Sequence, residues 1–176
     1  MTPEIVCRRP ALTDAPQLAE VATLAWQVGF EGLLPQAFLE GLDAERSRAQ
    51  WAKDLATEGV GLPHFLLAER SGHVLGFSAS GPSRDQDAGP NVAEVFALHV
   101  LPSAWGQGVG GALLQCTLNG LRDHGSVAAM LWVIDGNTRA RRFYEAQAWK
   151  ADGTERINRH FAGVSMHELR YRTALR

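Results

Sequence analysis

Val100-Leu-Pro-Ser-Ala-Trp-Gly-Gln-Gly-Val-Gly-Gly111 leaves an apolar run and enters an amphipathic one with four glycines in six residues. Glycine adopts backbone conformations closed to other residues and lets a ligand approach the main chain. The first turn of a helix adds unsatisfied N–H donors at the positive end of its dipole. The backbone of Gly106, Gln107, Gly108, Val109, Gly110 and Gly111 is therefore expected to cradle an anion. Two phosphate-binding patterns do not fit. The dinucleotide fingerprint needs G-x-G-x-x-G directly after a strand, and here G-x-G-x-G-G follows a five-residue connection; the P-loop needs Gly-Lys-Ser/Thr where this chain has Gly110-Gly111-Ala112. A glycine-rich helix start with no ligand is the alternative.

Upstream of this turn Val92 to Val100 reads as a strand, and downstream Gly106 to His124 reads as a helix. Val127 to Ile134 is an apolar strand and Thr138 to Ala146 a second helix, giving a βαβα unit with parallel strands and a right-handed crossover. Toward the N-terminus, Glu4 to Arg9 predicts a first strand. Asp14, Pro16 and Gln17 start a helix running to about Val28, with Leu18, Val21, Ala22, Ala25 and Trp26 on one face and Gly29 and Gly32 to end it. Pro35 to Glu40 is a short helical piece, and Ala44 to Thr57 a second amphipathic helix anchored by Trp51 and Leu55. His64 to Arg70, the turn Ser71-Gly72, and His73 to Ala79 form an antiparallel hairpin. Gly81 to Asn91 reads as a surface loop, and Asn158 to Arg172 supplies one or two final antiparallel strands. The fold class is a mixed α/β (α+β) sheet with helices on both faces.

The 176 residues, 45% hydrophobic and 20% charged, suit one domain, residues 1–176, with its own core. Seventeen Lys+Arg against 19 Asp+Glu, a formal charge of -2, argue against a partner in nucleic acid or acidic membrane. Cys7 and Cys116 lie far apart in sequence inside apolar patterns, which predicts neither a disulfide framework nor a metal site. Residues 1–5 carry no secretory pattern and no run approaches a membrane span, so the expected compartment is the reducing cytoplasm. Oligomeric state is not legible, and a homodimer stays open.

The glycine segment resembles the signature of the GNAT superfamily of acetyl-CoA-dependent N-acetyltransferases, Arg/Gln-x-x-Gly-x-Gly/Ala after the fourth strand. Gly108 and Gly110 match it, and Trp105 stands where the signature has Arg or Gln. Leu131-Trp-Val-Ile-Asp-Gly-Asn137-Thr-Arg-Ala-Arg-Arg-Phe-Tyr144-Glu is similar to the family's L-x-V-x-x-x-N-x-x-A-x-x-F-Y-E segment, and Ala93-Glu94-Val-Phe-Ala-Leu-His-Val100 resembles its fourth strand. These motifs span about Ala93 to Trp149.

The resemblance implies a mostly antiparallel central sheet whose parallel fourth and fifth strands splay into a V-shaped cleft, where the pantetheine arm of acetyl-CoA lies like a missing strand. Leu98, His99 and Val100 would hydrogen-bond that arm, residues 106 to 111 would hold the pyrophosphate, and Asn137 would reach the cofactor from the next helix. The acceptor would meet the protein around Trp26, Phe30, Glu31 and Leu34. Acetyl-CoA is the implied co-substrate, without a metal, and the implied acceptor is a small-molecule or peptide amine.

An alkyl amine with a pKa of about 10 arrives protonated. Glu94 is a candidate to take that proton, or else a structural carboxylate at a strand start. A backbone N–H near Val100 could stabilise the tetrahedral oxyanion. Tyr144 is placed to protonate the leaving thiolate, or else is a core aromatic. Strand parity turns His99 away from Glu94 and Leu98, which predicts a packed or hydrogen-bonded role. Arg139, Arg141 and Arg142 read most simply as a solvated helix face, although one of them could touch the cofactor's phosphates. With no cysteine placed for an acetyl-enzyme, direct transfer is the expected route. A non-catalytic acyl-CoA binding module of the same fold is the alternative.

Overall fold

The computed structural model describes residues 4–57, 64–161 and 163–175; residues 1–3 of the stretch read for a signal lie outside it. One sheet holds β1 (Val6–Arg8), β2 (His64–Arg70), β3 (His73–Pro82), β4 (Val92–Val100), β5 (Ala128–Ile134), β6 (Lys150–Phe161) and β7 (Val164–Ala174), in the order β1-β2-β3-β4-β5-β7-β6. Every neighbouring pair is antiparallel except β4 with β5. The helices are α1 (Ala15–Gly29), α2 (Gln36–Glu40), α3 (Ala44–Ala56), α4 (Val109–Asp123) and α5 (Thr138–Ala146).

Helix α1 begins with a proline in its first turn and buries Leu18, Ala19, Val21 and Ala25 on one stripe. That stripe and Trp51 of α3 meet Phe65, Leu67, Phe77 and Ala79 of the sheet. Leu18 is completely buried, a contribution of about 1.5–3 kcal/mol relative to exposure. The opposite face is covered by α4 and α5, where Leu114, Leu121, Tyr144 and Trp149 pack on Val95, Leu131 and Val133. The Asp43 carboxylate caps α3 by accepting from the Glu45 and Arg46 N–H groups.

The strand that positions the site is irregular. Ala79 pairs with Ala97 but Ser80 pairs with Val95, so Phe96 bulges out of β4 without a partner. Beyond this point the neighbouring strand departs too: β4 and β5 pair only at Val92–Ala128, Ala93–Ala129 and Glu94–Met130. The extra residue reverses facing. Ala97 packs with the α1 side, along with the ring of Phe96, whereas Val95, Leu98 and Val100 pack with the α4 side. Glu94 and His99 therefore share a face, contrary to simple alternation.

Three further differences from the sequence reading have local causes. The tail is a long hairpin, because β6 starts at Lys150 and pairs with β7 through register breaks after Ala151 and Asn158. β3 runs to Pro82, which shortens the expected 81–91 loop. What remains is pinned by Arg170, only 5% exposed, which donates to Asp87 at 2.6 Å, Asp85 at 3.0 Å and Asp152 at 2.7 Å. Cys7 and Cys116, distant in sequence, are neighbours; burial first, then the contact with Cys116, pushes the Cys7 thiol up to about 12. Among the described residues no helix is long and apolar enough to cross a membrane.

Candidate active site

Past the bulge, β4 presents backbone to an open cleft. The Leu101 N–H donates to Leu75 O of β3 at 2.8 Å, so antiparallel alternation also turns the His99 N–H and C=O toward β3 and those of Leu98 and Val100 toward the cleft. The Val100 carbonyl is taken by the Trp105 indole N–H at 2.9 Å. The backbone left to hold an extended ligand is therefore Leu98 N–H and C=O and Val100 N–H. His99, expected to offer its backbone, offers its ring instead.

At one end of the cleft the chain makes a 3-10 turn at Pro102–Ala104 and enters the glycine segment. Gly106 has φ +73 and Gly108, the N-cap of α4, has φ +81; a Cβ at either would meet nothing within 4 Å. The space is open to a ligand, and the left-handed backbone is one that side chains resist. A cavity of about 370 Å³ lies here, lined by Gly106, Gly108, Val109, Gly110 and Gly111 with Phe143 of α5 and Gln147 just past its end. The Gln107 side chain is turned elsewhere: its Oε1 accepts from Arg70 Nη1 at 2.9 Å and its Nε2 donates to Ser103 O at 2.8 Å. This cradle fits a diphosphate, because N–H groups at a helix start are aimed into space no side chain fills.

A second cavity, about 200 Å³, continues along the cleft between β4 and β5. Trp26, Phe30, Leu34, Leu98, His99, Val100, Trp132, Asn137, Tyr144 and Glu168 all line it. Leu98, Val100, Trp105, Arg139, Ala140 and Tyr144 line both cavities and so mark where they join. The Arg139 guanidinium lies 3.4 Å from the centre of the Trp105 ring, so this arginine roofs the join while staying exposed on its outer side. Arg141 is tied down instead, donating to Asp135 Oδ1 at 2.7 Å and to the Tyr171 hydroxyl, and Arg142 is exposed. Asn137 caps α5, its Oδ1 accepting from the Ala140 N–H at 3.1 Å, which leaves its amide NH₂ for the cleft.

Tyr144 is 8% exposed, packed edge-on to Trp149 and Phe143, and its hydroxyl makes no hydrogen bond among the described residues. Loss of hydration raises its phenol above the usual value, so it is protonated at neutral pH. The His99 imidazole sits among Phe77, Trp26 and Phe30 with ring centres 5.4, 6.0 and 6.4 Å away. Burial, then the Arg139 charge, lowers it to about 4.

Two expected site residues are not in the cleft. Glu94, 2% exposed, holds Arg84: Nη2 donates to Oε1 at 2.6 Å, and Arg84 Nε and N–H both reach Oε2. It occupies the last paired position before the splay and is absent from the cleft lining, its carboxylate committed to Arg84. Glu31 is exposed and also outside the lining. Sequence reasoning passed over Glu168, which sits in the alternating run Met166-His-Glu-Leu-Arg170 and projects into the cleft from β7. It also passed over the Trp105–Arg139 stack.

The sequence pattern of the acetyltransferase (GNAT) family matches residues 26–149, more than two thirds of the chain. The chain belongs to this family. As an acetyltransferase of the GNAT family it is an acyltransferase. It is similar to the uncharacterized N-acetyltransferase YuaI of Bacillus subtilis, 28% identical over 165 residues that cover 94% of this chain and 90% of YuaI. Its fold is shared by the PaiA N-acetyltransferase from Thermoplasma acidophilum in complex with coenzyme A, with a TM-score of 0.70 at 18% identity and coverage of 97% and 99%. It is shared also by yncA from Salmonella typhimurium with its cofactor acetyl-CoA, with a TM-score of 0.71 at 16% identity and coverage of 98% and 95%.

Proposed function

We propose that this acetyltransferase passes the acetyl group of acetyl-CoA directly to an amine while both substrates occupy the cleft. The observation that carries the reading is the Tyr144 hydroxyl, unpaired among the described residues and opening on both the glycine-lined cavity and the aromatic one. Cofactor phosphates held at residues 106 to 111 and an extended arm along Leu98 and Val100 would bring a thioester to the join of the two cavities. The free Val100 N–H is then a donor for the oxygen on which charge develops.

The neutral amine, having lost its ammonium proton to water, forms the C–N bond as the C–S bond breaks. The departing thiolate takes the proton of the buried Tyr144 phenol, and the extra proton on the new amide nitrogen returns through water to the Tyr144 phenolate. In the same dry site the thiolate's own proton affinity rises, which keeps the two groups matched. An acetyl-enzyme on sulfur is disfavoured, because Cys7 and Cys116, the chain's two cysteines, line a different cavity against α4.

The test is thiol release from acetyl-CoA across a panel of amines. Tyr144→Phe is expected to lower kcat by about 100-fold while the Kd for acetyl-CoA stays within twofold. Unchanged turnover in that variant removes Tyr144 from the reaction. Acetyl-CoA binding without turnover of any amine would make the chain an acyl-CoA binding module.

A further inference from the structure

We propose that Glu168 anchors the acceptor's ammonium nitrogen, and that the acceptor is a small primary amine with one cationic centre on an apolar body. The inference rests on the acetyltransferase reading and names the substrate class of that same cavity. Glu168 is the only carboxylate that lines the cleft among the described residues. It stands on β7 opposite Ile134 of β5, on the face where Met166 packs under Trp26, Phe30 and Leu34. This is the end of the cleft remote from the glycine cradle.

The carboxylate is 6% exposed, and its oxygens are unequally used. Oε2 accepts from Arg156 Nε at 2.6 Å, whereas the contact to Oε1 is Asn158 Nδ2 at 3.4 Å, at the limit of a hydrogen bond. Oε1 keeps accepting capacity in a place where a buried anion gains most from a charged donor. Carboxylates predominate around Glu168, while Arg139 lines the cavity at the join. Asp85, Asp87, Glu94, Asp152 and Glu168 outnumber Arg84, Arg156 and Arg170 around this end.

The rest of the lining sets the body of the acceptor. Trp26, Phe30, Phe96 and Trp132 surround a space of about 200 Å³, and one face of Trp132 is already covered by Arg156 at 4.1 Å. A second ammonium, as in a polyamine, would enter this space without a second carboxylate to meet it.

The experiment compares phenethylamine, spermidine and an alanine-initiated hexapeptide as acceptors by thiol release, with calorimetry of phenethylamine against 2-phenylethanol on the coenzyme A-loaded protein. Phenethylamine is expected to give the highest kcat/KM, and the protein to bind it at least about tenfold more tightly than the alcohol. Glu168→Gln should raise the KM for phenethylamine at least about tenfold, change kcat less, leave the acetyl-CoA Kd unchanged and abolish the preference over the alcohol. Glu168→Asp should restore part of that preference.

Higher kcat/KM for spermidine or the hexapeptide overturns the proposal, as does Glu168→Gln with an unaltered KM. If Glu168→Gln fails to fold, equal affinity of the wild type for amine and alcohol overturns it instead. Turnover with an unaltered KM removes the Glu168 assignment and leaves the acetyltransferase reading standing. Amine preference without turnover does the reverse.

Discussion

His99 shows what a single residue can cost. Its ring is caged by three aromatic side chains, and protonating it would place a second cation near Arg139 with little water to hydrate the imidazolium. Its folded-state value, about 4, lies below the ordinary 6.5, so the unfolded chain takes up the proton first as the pH drops. The stability due to neutral His99 is complete above pH 6.5 and is lost as pH falls toward 4. That difference corresponds to up to roughly 3 kcal/mol. Urea melts of wild type and His99→Gln at pH 7.5, 6.0 and 4.5 check this: the wild type should weaken more steeply than the variant over that range. Glu94 is the contrasting residue. Its chemistry made it a plausible base, but one unpaired residue at Phe96 and an arginine from the preceding loop decide where its charge is spent, and neither leaves a mark in the order of residues along β4.

Elements with a strong period were readable: β2, β3, β5 and helices α1, α4 and α5 lie within a few residues of their expected limits. β6 was not, because Lys150-Ala-Asp-Gly-Thr-Glu-Arg-Ile157 is mostly exposed, carries Gly153 at φ +86, and becomes a strand through its register with β7. The glycine turn belongs to the readable class, and its backbone makes a specific demand. Gly108→Ala meets no steric obstacle, so its whole cost is the left-handed φ of +81, about 1–2 kcal/mol. Thermal melts should show that loss together with weaker acetyl-CoA binding, since relaxing the strain re-aims the N–H groups at the start of α4. Within the site, residues tied to a local motif, such as Asn137 and Tyr144, could be found from the sequence. Glu168 could not, since β7 brings it to the cleft only after the hairpin has folded back beside β5.

At the scale of the molecule the cleft is polarised. Helix-start N–H groups and open backbone stand at one end, and a net acidic cluster around Glu168 at the other, which suits an anionic donor meeting a cationic acceptor. An extended coenzyme A arm along Leu98 and Val100, as proposed, would also complete the sheet. Saturation with coenzyme A at about 100 times its Kd should add roughly 2.7 kcal/mol and raise Tm by roughly 5–10 °C, readable by differential scanning calorimetry. No shift at that concentration would exclude the cradle as a binding site.

The short pairing of β4 with β5 makes β1–β4 and β5–β7–β6 two plates riveted at three positions, Val92, Ala93 and Glu94. Heat or denaturant should open the seam there first, and deuterium should enter the amides of Leu98 and Val100 long before those of β7. A protein built this way would borrow part of its rigidity from a ligand laid across the seam, and its tightest form would be the one about to react.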